Sequence, residues 1–207
     1  MTKTIIVNIS GFLTPSQWVS YPESNIPSNI EMISVYPSPT GSIHDRVCQI
    51  FYELKGGTVD FGAEHSSFHN HARYGRTYKQ GKFETWSEKN PIIIISHSFG
   101  GVTAWALQNY LEQRRFPGYD SNHKWVAGII AANSPFNGAL RVYNLGLNLN
   151  QPPLVTWGSQ GCIISWLIHV TEYFNLTSFR KVIDFDQGWL FPFLYQTNHL
   201  YALSDIL

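Results

Sequence analysis

Charge is scarce in this chain of 207 residues: 14 Lys and Arg stand against 14 Asp and Glu, and the two cancel. Without a basic stripe there is no electrostatic footprint for a polyanion, which excludes nucleic acid as a partner. There are two cysteines, Cys48 and Cys162. They are too few and too far apart for a disulfide framework, and no C-x-x-C or H-E-x-x-H offers a ready zinc signature. No apolar run approaches the roughly 20 residues that span a bilayer. Thr4 to Leu13, largely apolar, lacks both a basic lead-in and a small-residue cleavage site, so it reads as mature chain. The protein is then expected to be intracellular, or secreted with its natural beginning missing. What the chain does have is apolar and aromatic mass, 43% and 15% of its residues. That is enough for one domain over residues 1–207, with a surplus suited to a hydrophobic substrate.

The densest signal is PIIIISHSFGG, Pro91 to Gly101. Four isoleucines in a row predict a strand buried on both faces, and the polar, glycine-ended SHSFGG predicts a tight turn into a helix. Small residues flanking a central serine are what a nucleophile elbow needs, because strand, turn and helix backbones crowd together there. Ser96 and Gly100 fill those places around Ser98. A strand-turn-helix connection that merely contains serine is the bland alternative; the isoleucine run and the double glycine favour the nucleophile. The start of the helix also aims backbone N–H groups at the space above Ser98, which suits an oxyanion.

An oxyanion hole of this kind takes one N–H from the residue after the nucleophile and one from the loop after an early strand. The residue after Ser98 is Phe99. The early strand is read at Thr4 to Ile9, and its glycine turn, Ser10-Gly11-Phe12, offers Phe12 as the second donor. Phe12 as an ordinary core aromatic remains an equal reading from these residues alone.

Between these points a strand is predicted at Glu31 to Tyr36. A helix follows from Ser42 to Lys55, with apolar residues at helical spacing, Ser42 as N-cap and Gly56-Gly57 as its stop. Asp45 in its first turn reads as a dipole-complementing carboxylate. Residues 57–78 show no clean helix or strand period, yet hold His65, His69 and His71. Histidines so close together mark either a metal site completed by a carboxylate or a solvated surface group, and spacing alone leaves both open. Beyond the elbow, a helix is predicted at Val102 to Arg115 and a strand at Lys124 to Ala132. The strand ends in Asn133-Ser134-Pro135-Phe136-Asn137-Gly138, at the edge where open α/β sheets bind ligands.

Taken together, HDRVCQIFYELKGGTVDFGAEHSSFHNHARYGRTY and IISHSFGG resemble the zinc-containing thermoalkalophilic bacterial lipases and their eukaryotic relatives. The likeness is close from Asp45 to Gly101, recognisable from Ile5 to Leu140 and faint at Val182 to Trp189. It implies an α/β-hydrolase fold: a mostly parallel sheet with flanking helices and a partial cap or lid over residues 145–207. It also implies a lipase-like serine ester hydrolase acting on lipid esters such as triacylglycerol, with transient contact at a lipid interface. Carried over by motif, the nucleophile falls on Ser98 and the oxyanion-loop phenylalanine on Phe12. A structural zinc falls on Asp45, His65 and His71, and His69 matches a non-ligand.

Four departures qualify that picture. Ser10 stands where the family has histidine before its oxyanion glycine, and Phe99 where it has glutamine. The family's fourth zinc ligand, an aspartate in Tyr-Asp-Leu, meets Tyr201-Ala202-Leu203, which leaves Asp205 or water. The family's triad acid and histidine lie past the element at which this sequence stops. Asp184 or Asp186 with His199 has the right chain order, but the expectation is an incomplete lipase. A catalytically inactive, zinc-bound hydrolase-like module is the alternative. Leu145 to Phe174 is read either as a mobile lid or as a helix packed in the cap, with His169 as a packed or surface residue.

Overall fold

The apolar run near the start forms β1 (Thr4–Ile9), and the isoleucine run forms β5 (Ile92–His97), its parallel neighbour in the centre of a sheet. β2 (Ile30–Ser34) flanks β1 and β6 (Val126–Ala132) flanks β5, giving the order β2-β1-β5-β6 with every pair parallel. These relations come from a computed structural model, which describes residues 3–12, 14, 26–39, 41–69, 71–148, 150, 156–164 and 167.

One face of the sheet carries Ile5, Val7, Ile9, Ile33, Ile92 and Ile94 into the main core. There they meet Val47, Ile50, Phe51 and Leu54 of α1 (Ile43–Lys55) and Ala104, Leu107 and Leu111 of α3 (Phe99–Glu112). β5 was expected to be buried on both faces. Ile92 and Ile94 are fully buried, but Ile93 and Ile95 on the other face are half-buried, because both helices in that core pack on one side. Burying side chains of this size contributes about 1.5–3 kcal/mol each.

α1 starts and stops as its sequence dictates. Ser42 Oγ accepts the Asp45 N–H at 3.1 Å and donates to Asp45 Oδ2 at 2.7 Å, closing the first turn. Gly56, at a φ of 85°, ends the helix in a conformation that other residues resist. Gly57, read with it as the stop, instead opens β3 (Gly57–Asp60), which pairs antiparallel with β4 (Tyr74–Tyr78) around the short α2 (Ala63–His69). The two-stranded ribbon and its helix form an insert beside α1. These elements are too short to display a period, hence their silence in the sequence.

Boundaries moved by a few residues elsewhere. β2 begins at Ile30 and ends at Ser34, although Val35 still donates to Asn8 O at 3.3 Å. α3 starts at Phe99, three residues before the expected Val102, because the turn at Ser98 enters the helix directly. β6 is preceded by a 3-10 turn at His123–Trp125, and a short α4 (Arg141–Asn144) follows it. Among the described residues no helix is long and apolar enough to cross a membrane. Of the predicted cap, residues 160–164 are helical. Asp184, Asp186, His199, Asp205, His169 and the Tyr201-Ala202-Leu203 element lie outside the described residues, as does any lid motion.

Candidate active site and metal centre

Ser98 occupies the single turn residue between β5 and α3, at φ 53° and ψ −129°. A non-glycine residue held there is strained, at a cost of order 1–3 kcal/mol, and such strain persists only where surrounding contacts enforce it. The contacts are visible. Ser98 donates its N–H to Ala132 O at 2.9 Å, tying the turn to the end of β6, and accepts from Gly101 N–H at 3.1 Å. A Cβ on Gly100 would lie 2.5 Å from Ile9 O, and one on Gly101 would lie 2.0 Å from Ser134 Oγ. The double glycine thus lets α3 start against the ends of β1 and β6. Ser96, the outer small residue, is buried and donates to Ile130 O at 3.2 Å.

The loop after β1 closes on the same point. A Cβ on Gly11 would be 3.0 Å from Ser98 Cβ and 3.2 Å from His97 O, so a larger residue would crowd the serine and glycine lets this backbone lie against it. Phe12 follows, its ring meeting the Phe99 ring edge-on at a centroid distance of 6.4 Å. Phe99 is fully buried with Val142, Leu145 and Leu147, which accounts for an apolar residue at this position. As the first residue of α3, Phe99 has one of the N–H groups without an intrahelical acceptor. The structure therefore brings Phe12, Ser98 and Phe99 together. Among the described residues no imidazole or carboxylate hydrogen-bonds the Ser98 hydroxyl.

The second cluster lies across α1. His65 Nε2 is 3.1 Å and His71 Nε2 is 3.7 Å from Asp45 Oδ1, and one donor atom from each residue falls within 4.8 Å of the others. Burial alone would raise the Asp45 pKa, but the hydrogen bond and charge of His65, then His71 and Ser42, hold it well below the usual carboxylate range. His71 hydrogen-bonds Ala72 O through Nδ1 at 2.8 Å, while its buried Nε2 has no hydrogen-bond partner. A buried nitrogen aimed at a carboxylate and a second imidazole, with its other nitrogen fixed on a carbonyl, has the form of a metal ligand with its supporting contact. The residues present fit a metal ion.

His69 sits against His65 at a centroid distance of 4.2 Å but outside the ligand set. Burial and then the His65 charge push its pKa down to about 4. His44 is the residue that sequence reasoning passed over. Its ring stacks on His65 at 3.9 Å, with Nε2 on Phe61 O at 2.7 Å and Nδ1 on Tyr110 Oη at 3.1 Å. Burial, then the charge of His65, lowers its pKa. Its position next to Asp45 was the available signal. Arg46 on the other side was missed as well.

A family model described as "Lipase-like, C-terminal domain" matches residues 28–138 of this chain. The chain belongs to that lipase-like family. Over 74 residues it is 45% identical to a lipase of Staphylococcus hyicus, a match covering 36% of this chain and 11% of that protein. With a lipase of Staphylococcus epidermidis it shares 34% identity over 116 residues, covering 49% of this chain and 17% of that one. The matched part is thus under a fifth of either curated relative. Among solved structures, EstA from Clostridium botulinum superposes with a TM-score of 0.57 at 27% identity, covering 70% of this chain and 39% of that one. The Staphylococcus hyicus lipase structure gives 0.61 at 22% identity, over 98% of this chain and 60% of that one, a likeness of fold. The resemblance read from the Asp45 to Gly101 stretch is therefore to the right family, and the lipase-like chain has its parallel sheet and flanking helices.

Proposed function

We propose that this lipase-family chain carries the nucleophile and oxyanion half of a serine ester hydrolase of α/β-hydrolase type, acting on lipid esters such as triacylglycerol. The observation that carries the reading is the strained Ser98 backbone, at φ 53° and ψ −129°, with Gly11 packed against its side chain. In the proposed chemistry Ser98 Oγ attacks the ester carbonyl carbon, and its proton passes to a general base. The negative oxygen of the tetrahedral intermediate accepts from the Phe12 and Phe99 N–H groups. Loss of one such donor costs about 3–4 kcal/mol of transition-state stabilisation. The intermediate then collapses, the alcohol leaves with a proton, and water releases the acid.

Zinc is the proposed metal, and Asp45, His65 and His71 would hold it, with Asp205 or water as the fourth ligand. When bound it supplies structural cross-linking of the insert to α1 rather than chemistry at the ester. Residues 1–207 are read as one domain with 145–207 as its cap, in contact with a lipid interface during turnover. Asp184 or Asp186 with His199 stays the in-chain candidate for acid and base. Secretion is compatible with this reading.

The second reading is a zinc-bound hydrolase-like module without activity of its own. Without its base a serine nucleophile keeps only residual activity. Intact-mass analysis after exposure to a fluorophosphonate separates the two. Stoichiometric labelling that disappears in Ser98→Ala supports the hydrolase; folded protein that stays unlabelled supports the module.

A further inference from the structure

Arg46 is fully buried, and among the described residues no carboxylate pairs with it. A desolvated cation without a counter-ion is costly, so it persists only where its donors are met and its placement matters. Its three donor directions go to three separate segments. Nη2 donates to Ser10 O at 2.6 Å, Nη1 to Ser38 O at 2.6 Å and Nε to Thr103 Oγ1 at 3.2 Å. Thr103 Oγ1 in turn donates to Phe99 O at 2.9 Å, and the guanidinium carbon lies 5.2 Å from the Phe99 ring centroid. Ser10 directly precedes Gly11, the residue packed against Ser98, and Phe12 follows. Thr103 and Phe99 form the first turn of α3. One planar group thus spans the loop after β1 and the start of α3, the two pieces of backbone that must keep a fixed spacing if both N–H groups are to meet one oxygen.

We infer that Arg46 is a positioning residue for the oxyanion hole: through Ser10 and Phe99 it sets the separation between the Phe12 and Phe99 N–H groups. This rests on the reading of Ser98 as nucleophile. The guanidinium is suited to the task because its rigid fork reaches three acceptors in one plane, which the single ammonium of lysine cannot. Neither Ser10 nor Ser38 contributes a side chain to the clamp. Both present carbonyls, so the sequence of the loop discloses nothing of it.

Amide hydrogen exchange followed by mass spectrometry, on the full chain and its Arg46→Lys, Arg46→Met and Thr103→Val variants, tests the clamp. Fluorophosphonate labelling of Ser98 is followed in parallel. In Arg46→Lys and Arg46→Met the peptide spanning residues 9–14 should exchange about tenfold faster, with β5 and the centre of α1 unchanged. The labelling rate should fall about 100-fold, as expected for donors displaced by a fraction of an ångström to 1 Å. Thr103→Val, which keeps the guanidinium and removes one acceptor, should give a smaller change of the same kind, and it decides the matter if Arg46→Met does not fold. Unchanged exchange at residues 9–14 in folded Arg46→Lys overturns the inference. So does faster exchange spread evenly through β5 and α1, the mark of a residue that only stabilises the core. If the wild-type chain takes no label, the nucleophile reading fails, and the loop's exchange still decides whether Arg46 holds it.

Discussion

The two ends of α1 bury opposite kinds of polar cluster. Near its C-terminus Glu53 is met on all sides: Oε1 accepts from Lys82 Nζ at 2.5 Å and Oε2 from Tyr36 N–H at 2.7 Å. Lys82 donates again to Ser34 O at 2.7 Å and lies over the Tyr36 ring at 4.1 Å. At the N-terminus Asp45 faces two imidazoles whose nitrogens crowd one carboxylate oxygen, and the His71 Nε2 among them is left without a hydrogen bond. The first cluster is closed, with each charge matched by donors or acceptors already in the chain. The second gathers a carboxylate oxygen and two imidazole nitrogens around one point, with only the His65–Asp45 hydrogen bond made among them, a set that could hold a cation. Burial does not separate a structural cluster from a ligand-binding one, since both carboxylates are buried. What sets the N-terminal cluster apart is that its unpartnered nitrogen, His71 Nε2, lies within 4.8 Å of a carboxylate oxygen and a second imidazole nitrogen.

The largest effect expected from this contrast comes from emptying the open cluster. A ligand at about 100 times its Kd stabilises the folded chain by about 2.7 kcal/mol. In a domain of this size that is about 5–10 °C in melting temperature. Zinc-loaded wild-type chain should lose that much on EDTA treatment, whereas Asp45→Asn should melt at the lower temperature with or without EDTA and carry no metal by elemental analysis. A wild-type melting curve indifferent to EDTA would put the two ends of α1 in the same class.

A smaller loss is expected at the closed end. Lys82→Met leaves Glu53 buried with only the Tyr36 N–H. Because the Lys82 side chain is itself 35% exposed, solvent screening reduces the cost well below that of a fully buried pair, to about 1–2 kcal/mol. Urea denaturation at pH 7 measures it. A loss exceeding that caused by EDTA would reverse the ranking and make Glu53–Lys82 the main polar anchor of α1.

How far the sequence disclosed this follows from which signals are local. The isoleucine run, the double glycine after Ser98 and the Ser42 cap each act within a few residues, and they located β5, the turn at Ser98 and the start of α1. The ribbon of β3 and β4 was invisible, because strands of four and five residues around a seven-residue helix leave no period to count. α1 is opaque in a different way. Asp45, Arg46, Gln49 and Glu53 look in sequence like the solvated side of an amphipathic helix, yet all four are buried. Only the tertiary neighbours, the insert on one side and the β1 loop on the other, convert that side into two clusters and a clamp. Histidine spacing left a metal site and a solvated surface group both open, and the family resemblance was needed to favour the metal and to choose Asp45 as its carboxylate. The family comparison supports that resemblance.

The mildest expected effect concerns Cys48, midway between the two clusters. It is buried against Val59 and Phe61 of the insert, and its Sγ lies 3.6 Å from His44 Nε2. Burial, then the charges of Asp45 and Asp60, raises its pKa well above the ordinary thiol value. The thiol therefore stays protonated and should react with iodoacetamide only when the insert lifts away. If a metal at Asp45, His65 and His71 pins the insert to α1, Cys48 should resist alkylation in the zinc-loaded chain. It should become several-fold faster after EDTA, with half-buried Cys162 as the internal reference. Peptide mapping reads both sites in one sample. A Cys48 rate that ignores EDTA would mean that the apolar contacts of Val59 and Phe61 hold the insert unaided. The open cluster would then bind its ion without governing how the insert sits on the domain.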